Sequence, residues 1–570
     1  MPKVSEVIVD TLLQAGAKRC WGIVGDTINH FTDALRKSEL RWVHVRHEEA
    51  GALAAGGEAY MTGELAVCAG TCGPGSLHFV NGIFESHRNG APVLLIASDV
   101  GRAEAGLNFP QELDQRKIYE QTSVFCEYIS HPDQARRITA MAAQAALNLR
   151  GVAVVIVNGD MFLEETPDTL AWSVHRPKTV QHPCDQELEA LAAMLNEAGN
   201  ITIYAGIGAR DAHDQVVALA RHLQAPVAHT TRAKEFIEPD NPFHIGMTGI
   251  LGNRAGVGAI DDADLVLCLG TDFAYTQFWA EKKRVVQIDS DATHLGRRAP
   301  VHMGLLGDVG DTIDALLPRL EKKTSGGHLA KALKQWEKDR EDYERSTQED
   351  DPKLIHPQFV ASTLDKLAAD DAAFTADGGS PMVWCLRHIR ATGARRFLLS
   401  LLHGTMANAY PQAMGIAAAY PGRQVIALCG DGGLSMLLGD LLTLRQEKLP
   451  VKILVFNNSS LGFVEMEQRV EGLLDSYTDL ENPDFPALAK ACGIAGHRAD
   501  SASELEAAMR AWLAEPGPAL LDVPVSRMEL VMPPEIHAGQ VMSTALFGIK
   551  AVLDGRGKEV VALLRDNFLR

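Results

Sequence analysis

Two apolar runs that each end in a short polar segment constrain the fold of this chain more than any other feature. The run 425–429 is followed by Gly-Asp-Gly at 430–432, and the run 451–456 is followed by Asn-Asn at 457–458. Continuous apolar runs of this length predict buried strands of a parallel sheet. The segment 434–448 between them has apolar residues at helical spacing, so the whole predicts a βαβ unit. Its polar residues then lie at the sheet edge where α/β folds bind ligands.

The polar residue types at these strand ends suit a magnesium ion that carries a diphosphate. Asp431 offers an anionic oxygen and Asn458 an amide oxygen, and Mg²⁺ needs few protein ligands because it shares phosphate oxygens. The glycines allow backbone to approach phosphate closely. The alternative is two ordinary turns, since Gly, Asp and Asn are common turn residues. The 24 residues between the two motifs, Gly433–Phe456, together with the doubled Asn, favour the ligand site.

Composition places the chain among ordinary globular proteins and argues against some partners. The 570 residues carry a net charge of −19, which disfavours binding to nucleic acid, whose recognition needs a basic face. Residues 1–22 form no signal-peptide pattern and predict an amphipathic helix leading into a strand. The nine cysteines lie mostly in apolar contexts, as is typical of reduced thiols in the cytosol. We therefore expect a cytoplasmic protein without a membrane span.

Alternation of strand-like and helix-like runs predicts three α/β domains, each with a doubly wound parallel sheet. Proline-rich and charge-rich stretches mark the joints between them. The predicted parts are a first domain over 1–180, a central domain over 185–330, a charged linker over 331–355, a third domain over 356–530 and a tail over 531–570.

Further motifs make the chain resemble the thiamine diphosphate enzymes of the pyruvate oxidase and acetolactate synthase family, and among them most the bacterial quinone-dependent pyruvate oxidases. The motifs are Arg-His-Glu-Glu at 46–49, His-Gly-Thr-Met at 403–406 and the two strand-end segments described above. The resemblance implies that the first and third domains bind thiamine diphosphate and that the central, Rossmann-like domain binds FAD. Without it, the acidic run at 46–49 would be read as a solvated helix start.

The resemblance assigns roles to individual residues. Glu48 would hydrogen-bond the aminopyrimidine ring, Met406 would hold the cofactor bent, and Phe463 would move toward the reacting centre. Mg²⁺ would be bound by Asp431, Asn458 and the backbone carbonyl of Ser460. The implied contacts of thiamine diphosphate are Glu48, Gly404, Thr405, Met406, Asp431, Gly432, Gly433, Asn458, Ser459, Ser460, Leu461, Gly462, Phe463 and Val464.

A loop that faces the substrate in the family supplies two more catalytic candidates, Gln111 and Glu112. Pro110 stands before them where relatives have Phe, and Gly378 stands where Val usually follows Asp377. Both departures bear on the substrate pocket, so pyruvate is inferred from the resemblance as a whole.

The central domain carries segments that resemble the family's flavin site. The run 206–211 lacks the third glycine of the dinucleotide fingerprint, and a flavin-free structural domain is the alternative. Asp289 closes a strand, as an acid that binds sugar hydroxyls does. The implied FAD contacts are Gly206, Gly208, Arg232, Thr248, Gly249, Ile250, Leu251, Thr271, Asp272, Phe273, Ala274, Tyr275 and Asp289.

The last thirteen residues, 558–570, predict a short amphipathic helix. From periodicity alone, a helix packed on its own protein is favoured. Resemblance to the quinone-linked enzymes instead implies a tail, 531–570, that docks on membrane phospholipid near ubiquinone or menaquinone. It also implies a homotetramer with each cofactor between two subunits. The protein would then be cytoplasmic and peripheral on the inner membrane when active.

The predicted reaction is oxidative decarboxylation of pyruvate to acetate and CO₂, with electrons passed through FAD to quinone. Acetolactate synthase or a related 2-oxoacid carboligase or decarboxylase is the alternative, since it shares these motifs. A catalytically silent scaffold is a further alternative, which the presence of Glu48, Asp431 and Asn458 disfavours.

Overall fold

A computed structural model describes residues 1–167, 172–272, 283–348, 354–527 and 529 of the chain. It contains three six-stranded parallel sheets, one in each predicted domain, with helices between the strands. The predicted tail, 531–570, lies outside the described residues. Within them, no helix is long and apolar enough to cross a membrane.

The first sheet has the strand order β2-β1-β3-β4-β6-β5. Its strands are β1 (Arg19–Gly22), β2 (Arg41–His44), β3 (Ala66–Gly70), β4 (Val93–Asp99), β5 (Phe125–Tyr128) and β6 (Val152–Asn158). The accompanying helices are α1 (Val4–Gln14), α2 (Asn29–Arg36), α3 (Glu48–Thr62), α4 (Pro74–Leu77), α5 (Val80–Asn89), α6 (Gln115–Tyr119) and α7 (Ala135–Leu149). The predicted N-terminal helix and following strand are confirmed as α1 and β1.

The central sheet has the order β12-β11-β10-β7-β8-β9, which counted within the domain is 6-5-4-1-2-3. Its strands are β7 (Ile201–Ala205), β8 (Val227–His229), β9 (His244–Met247), β10 (Leu265–Leu269), β11 (Arg284–Asp289) and β12 (Met303–Leu306). Its helices are α8 (Asp185–Glu197), α9 (His213–Leu223), α10 (Lys234–Ile237), α11 (Arg254–Asp261), α12 (Val309–Leu316) and α13 (Gly327–Ser346). This strand order is that of dinucleotide-binding sheets, whose order reverses between the first and fourth strands, here β7 and β10.

The third sheet, β14-β13-β15-β16-β18-β17, repeats the order of the first. Its strands are β13 (Ala373–Ala376), β14 (Arg396–Leu399), β15 (Val425–Gly430), β16 (Val451–Asn457), β17 (Ala495–Arg498) and β18 (Ala519–Pro524). Its helices are α14 (Pro357–Leu367), α15 (Ser380–His388), α16 (Ala409–Ala419), α17 (Asp431–Met436), α18 (Leu441–Glu447), α19 (Gly462–Val470), α20 (Phe485–Ala491) and α21 (Ala502–Ala514). Because β15 and β16 pair in parallel, the predicted βαβ unit is confirmed.

Two sequence-based expectations differ from the structure in detail. The helix predicted over 434–448 is two helices, α17 and α18, separated by a 3₁₀ turn at Leu438–Asp440. The segment predicted as a charged linker, 331–355, is helical through Ser346 as part of α13. Leu329 and Ala332 are buried on that helix, and their helical spacing was obscured by the density of charge around them.

Helices α3 and α16 join the first and third domains through a shared hydrophobic core. Helix α3 is rich in Ala and Gly and is buried almost all round, which permits close packing. A Cβ placed on Gly415 of α16 would lie 1.8 Å from the carbonyl oxygen of Ala54, so only glycine fits at this crossing.

Replacing Gly415 with Ala should therefore lower the free energy of unfolding by about 1–3 kcal/mol, the usual cost of overpacking. Gly258 of α11 is the matched control, because a Cβ there meets nothing within 4 Å. Gly258→Ala should be neutral or stabilise by about 0.4–1 kcal/mol through the unfolded state. Urea unfolding of both variants measures the difference. Equal stability of the two would contradict the close approach of α3 and α16.

Candidate active site

A cavity of about 320 Å³ opens at the carboxyl ends of strands β13, β15 and β16. It lies where the order of the third sheet reverses, between β13 and β15, which is the usual ligand site of such sheets. Asp431 follows β15 directly and Asn458 follows β16 directly, and both line the cavity. The predicted residues that line it are Gly404, Met406, Asp431, Gly432, Gly433, Asn458, Ser460, Leu461, Gly462, Phe463 and Val464.

Asp431 is held in a fixed orientation by hydrogen bonds at both carboxylate oxygens. Only 2 % of the residue is exposed. Its Oδ1 accepts from the backbone N–H of Gly432 at 3.0 Å, and its Oδ2 accepts from Nδ2 of Asn482 at 2.8 Å. Burial raises the pKa of this carboxyl group, and the Asn482 hydrogen bond opposes that rise. A buried carboxylate at this cavity is suited to a cation, whose charge would compensate the cost of desolvation.

The loop after β16 turns sharply toward the same cavity. Ser459 has a φ of 52°, and Oδ1 of Asn458 accepts from the backbone N–H of Ser460 at 3.1 Å. The hydroxyl of Ser460 donates to Glu465, which in turn binds Arg527 at 2.9 Å. The side chain of Ser460 is thereby engaged by Glu465, and the use of its backbone carbonyl as a metal ligand stays a prediction.

A buried carboxyl group that the sequence analysis used only as a landmark also lines the cavity. Asp377 follows β13, accepts from the backbone N–H groups of Ala409 at 3.0 Å and Gly430 at 3.2 Å, and has its pKa raised by burial to about 7. Beside it, the N–H of Gly378 donates to the carbonyl of Thr405 at 3.0 Å. A Cβ on Gly378 would lie 2.4 Å from that oxygen. A Val at this position would thus displace the 404–406 segment.

The 404–406 segment connects the cavity to the first domain. Gly404 has a φ of 74°, and the Cε atom of Met406 lies against Gly432, where an added Cβ would meet it at 3.2 Å. Asn81 donates through Nδ2 to Oγ1 of Thr405 at 2.9 Å and to Oε1 of Glu49 at 2.6 Å. Sequence reasoning missed Asn81, which has no local motif to mark it.

Glu48 is not among the residues that line this cavity within the described part of the chain. It is the first residue of α3, is 7 % exposed, and places Oε2 at 2.9 Å from Nδ1 of His78. The turn 73–75 lies between Glu48 and Gln111: a Cβ on Gly75 would be 3.6 Å from Glu48, and one on Gly73 would be 2.7 Å from Gln111. Glu48 and Gln111 are therefore neighbours at the carboxyl edge of the first sheet.

Glu112 is partly exposed, and its carboxylate accepts hydrogen bonds from its own loop. Its Oε2 accepts from the N–H of Phe109 at 2.9 Å and its other oxygen from the N–H of Gly106, and these hydrogen bonds lower the pKa of the carboxyl group. Gln111 has a φ of 71°, and its Oε1 accepts from the thiol of Cys72 at 3.3 Å. The structure thus brings these two side chains to the same edge of the molecule as Glu48.

Three of the predicted flavin residues, Gly206, Thr271 and Asp289, lie at or just after the carboxyl ends of β7, β10 and β11. Gly206 and Gly208 approach Gly270 so closely that an added Cβ would lie 2.4 Å and 2.6 Å from its backbone atoms. Asp289 ends β11, where burial raises its pKa and His294 binds it at 3.1 Å. Oγ1 of Thr248 is buried and has no hydrogen-bond partner among the described residues.

The other predicted flavin residues differ in their contacts and in their burial. Arg232 donates to the carbonyl of Asn89 at 3.3 Å, and Asp272 binds Arg297 at 2.9 Å. Gly249 has a φ of 97°. Ile250 is exposed, Thr271 is buried at the end of β10, and Leu251 packs in the core of the third domain. Phe273, Ala274 and Tyr275 lie outside the described residues.

Comparisons with known proteins agree with this arrangement. Three sequence families match: the thiamine pyrophosphate enzyme N-terminal TPP binding domain over 2–118, the central domain over 188–316 and the C-terminal TPP binding domain over 377–523. A putative thiamine pyrophosphate-containing protein of Bacillus subtilis is 32 % identical over 98 % of each chain.

Relatives with two different activities match at similar levels. The pyruvate oxidase of Lactiplantibacillus plantarum is 28 % identical over 87 % of this chain and 84 % of its own. The acetolactate synthase large subunit of Parasynechococcus marenigrum is 30 % identical over 92 % of this chain and 88 % of its own. With all three domains matched, and with the polar strand ends of the third sheet lining one cavity, the chain belongs to the thiamine pyrophosphate enzyme family.

Proposed function

We propose that the protein is a pyruvate:quinone oxidoreductase that converts pyruvate to acetate and CO₂, with thiamine diphosphate, Mg²⁺ and FAD as cofactors. The observation that supports bound FAD, which the oxidative reaction requires, is the central sheet, whose strand order and glycine-lined switch point resemble those of a dinucleotide site. Acetolactate synthase, or a related carboligase or decarboxylase, is the second candidate. The chain has similar sequence identity to a pyruvate oxidase and to an acetolactate synthase, so sequence identity favours neither reaction.

The residues around the cavity of the third domain fit a magnesium diphosphate. Asp431 and Asn458 would bind Mg²⁺ through side-chain oxygens, and Ser460 through its carbonyl. The 404–406 segment would hold the aminopyrimidine ring, with Met406 packed beneath it. Thiamine diphosphate supplies the nucleophile and the electron sink that cleavage of a 2-oxoacid requires. The protein would contribute the orientation of the cofactor.

Glu48 would complete the site from a second copy of the chain. The cavity at Asp431 is lined, within the described residues, by the third domain alone, whereas Glu48 and Gln111 lie at the edge of the first domain. A two-fold dimer would bring each first domain to its partner's third domain. Two such dimers would make up the proposed homotetramer.

The central domain fits a flavin dinucleotide by three features. Gly206 and Gly208 leave no room for a Cβ beside Gly270, as in turns where backbone contacts a pyrophosphate. Asp289 ends the neighbouring strand as a buried carboxyl group, and Thr248 offers an unpaired buried hydroxyl. A bound dinucleotide would satisfy the hydroxyl of Thr248, which otherwise costs free energy.

The proposed electron acceptor is ubiquinone or menaquinone, reached when the tail 531–570 docks on membrane phospholipid. The support for this step is the amphipathic pattern of 558–570 and the resemblance to quinone-linked enzymes. On this proposal the protein is cytoplasmic and peripheral on the inner membrane when active.

An anaerobic assay separates the two candidate reactions. Purified protein with bound flavin, given thiamine diphosphate, Mg²⁺ and pyruvate, should lose its oxidised flavin absorbance and release acetate. Adding quinone in phospholipid vesicles should then restore the absorbance. Accumulation of acetolactate with unchanged flavin absorbance would establish the synthase instead. Protein purified without flavin that cannot be reconstituted with FAD would contradict the oxidoreductase proposal.

A further inference from the structure

A second cluster of metal-ligating side chains lies in the central domain, away from the cavity at Asp431. It consists of His229 at the end of β8, Glu238 just after α10, and His244 at the start of β9. Nε2 of His229 lies 3.1 Å from Nε2 of His244 and 3.2 Å from Oε1 of Glu238, and the third side of the triangle is 3.8 Å. Ligand atoms about 2.0–2.1 Å from a tetrahedral zinc ion are about 3.3–3.4 Å apart, so the triangle has the size of one face of such a site.

Hydrogen bonding at the outer nitrogen of His229 leaves two acceptor atoms, Nε2 of His229 and Oε1 of Glu238, facing each other at 3.2 Å. Nδ1 of His229 lies 2.8 Å from the carbonyl oxygen of Thr230, which can only accept, so this nitrogen carries the proton. Nε2 of His244 accepts from the backbone N–H of Gly246 at 2.9 Å, which occupies its single lone pair. His229 is fully buried, whereas Glu238 and His244 are partly exposed. A cation at the centre of the triangle would satisfy the facing acceptor atoms.

The surroundings of the cluster are those of a metal site. A carbonyl that accepts from the outer nitrogen of a ligating His fixes its tautomer, as Thr230 does here for His229. Lys234 donates to both carboxylate oxygens of Glu238, at 2.9 Å to Oε1 and 2.8 Å to Oε2, and would keep the Oε2 contact while Oε1 binds the ion. Metal binding would replace the Gly246 contact at His244.

An entry path and an open coordination position are also present. Glu238 and His244 line a cavity of about 780 Å³ between the central and third domains. The wall of this cavity also carries the basic residues Arg340 and Lys366. The fourth ligand of an ion bound by the cluster would therefore be water or a small anion from the cavity.

We propose that His229, Glu238 and His244 bind a divalent transition metal ion of the zinc class, distinct from the magnesium of the proposed active site. Two His ligands and one carboxylate suit Zn²⁺, whereas Mg²⁺ prefers oxygen ligands alone. Such an ion would join β8, α10 and β9 beside the junction with the third domain.

Cobalt titration of the full-length protein tests this site. After treatment with a chelator and with Mg²⁺ in excess, the wild type should bind one Co²⁺ per chain with the visible absorption bands of tetrahedral coordination. Zn²⁺ should abolish these bands by displacement. Glu238→Gln and His244→Gln should weaken Co²⁺ binding by at least about 100-fold, the upper end of the cost of losing an outer-shell partner.

His328→Gln is the matched control, because His328 lies in the same domain and hydrogen-bonds Thr202 at 2.8 Å. It should bind Co²⁺ as the wild type does, and so should Asp431→Asn. A wild type without tetrahedral bands would overturn the proposal and show that a proton, not a metal, joins the cluster. Bands that persist unchanged in Glu238→Gln and His244→Gln would overturn it too, by placing the ion elsewhere. The wild-type titration tests the metal site even where a variant fails to fold.

Discussion

Replacing Glu48 with Gln should lower kcat by about 10²- to 10⁴-fold, the range that one positioned acid–base group contributes. The side chain keeps its size and can still hydrogen-bond His78, which lies 2.9 Å from Oε2 in the wild type. It loses the carboxylate that would exchange a proton with the aminopyrimidine ring. Steady-state kinetics with pyruvate and saturating cofactors, together with urea unfolding, should show a loss of turnover without loss of stability.

Glu64→Gln is the control for this substitution. Glu64 lies just after the same helix and pairs with Arg176 at 2.7 Å. Its side chain is half exposed, whereas Glu48 is buried. Exposed pairs of this kind contribute little, so both kcat and stability should stay near the wild-type values. Turnover by Glu48→Gln at the wild-type rate would remove Glu48 from the catalytic site.

Replacing Asp431 with Asn should weaken Mg²⁺-dependent binding of thiamine diphosphate by at least about 100-fold. Asp431 is the one carboxylate in the predicted ligand set of Asp431, Asn458 and Ser460, and Mg²⁺ at phosphate sites relies on one or two carboxylates. Asn482→Ala should have a smaller effect of about 10- to 100-fold, because Asn482 only orients the carboxylate of Asp431. Calorimetric titration of the cofactor at fixed Mg²⁺ measures both losses.

Asp500→Asn provides the comparison within the same domain. Asp500 is largely exposed and pairs with Arg498 at 2.6 Å, and its substitution should leave cofactor affinity unchanged. If Asp431→Asn retains wild-type affinity while binding remains dependent on Mg²⁺, the metal is bound elsewhere and the proposed site is wrong.

The parts of the fold that follow from local pattern were predictable from the sequence. The strand-like runs 201–205 and 265–269 coincide with β7 and β10, because a buried parallel strand is apolar along its whole length. The split of the predicted helix at 438–440 was not predictable from spacing. There the hydroxyl of Tyr410, from a distant helix, donates to the carbonyl of Leu437, and no local signal announces such a contact.

The residues of the candidate site likewise divide into those that the sequence predicted and those that it could not predict. Asp431 and Asn458 could be placed together because the carboxyl ends of neighbouring parallel strands meet at one edge. Asn482 could not be found, since it reaches Asp431 across 51 residues of sequence through tertiary packing alone. Asp377 was not selected because its importance arises from burial, which a sequence does not display. The strand order of the central sheet likewise depends on pairings between distant segments.

We propose that Glu48 of one chain and Asp431 of another form a single catalytic site for thiamine diphosphate. Co-expression of Glu48→Gln with Asp431→Asn in equal amounts tests this shared site. Random pairing in two-fold dimers gives half of the dimers one site with both native residues, so activity should return to about a quarter of the wild-type value. Activity that stays at the level of the separate inactive variants would contradict a site shared between two chains.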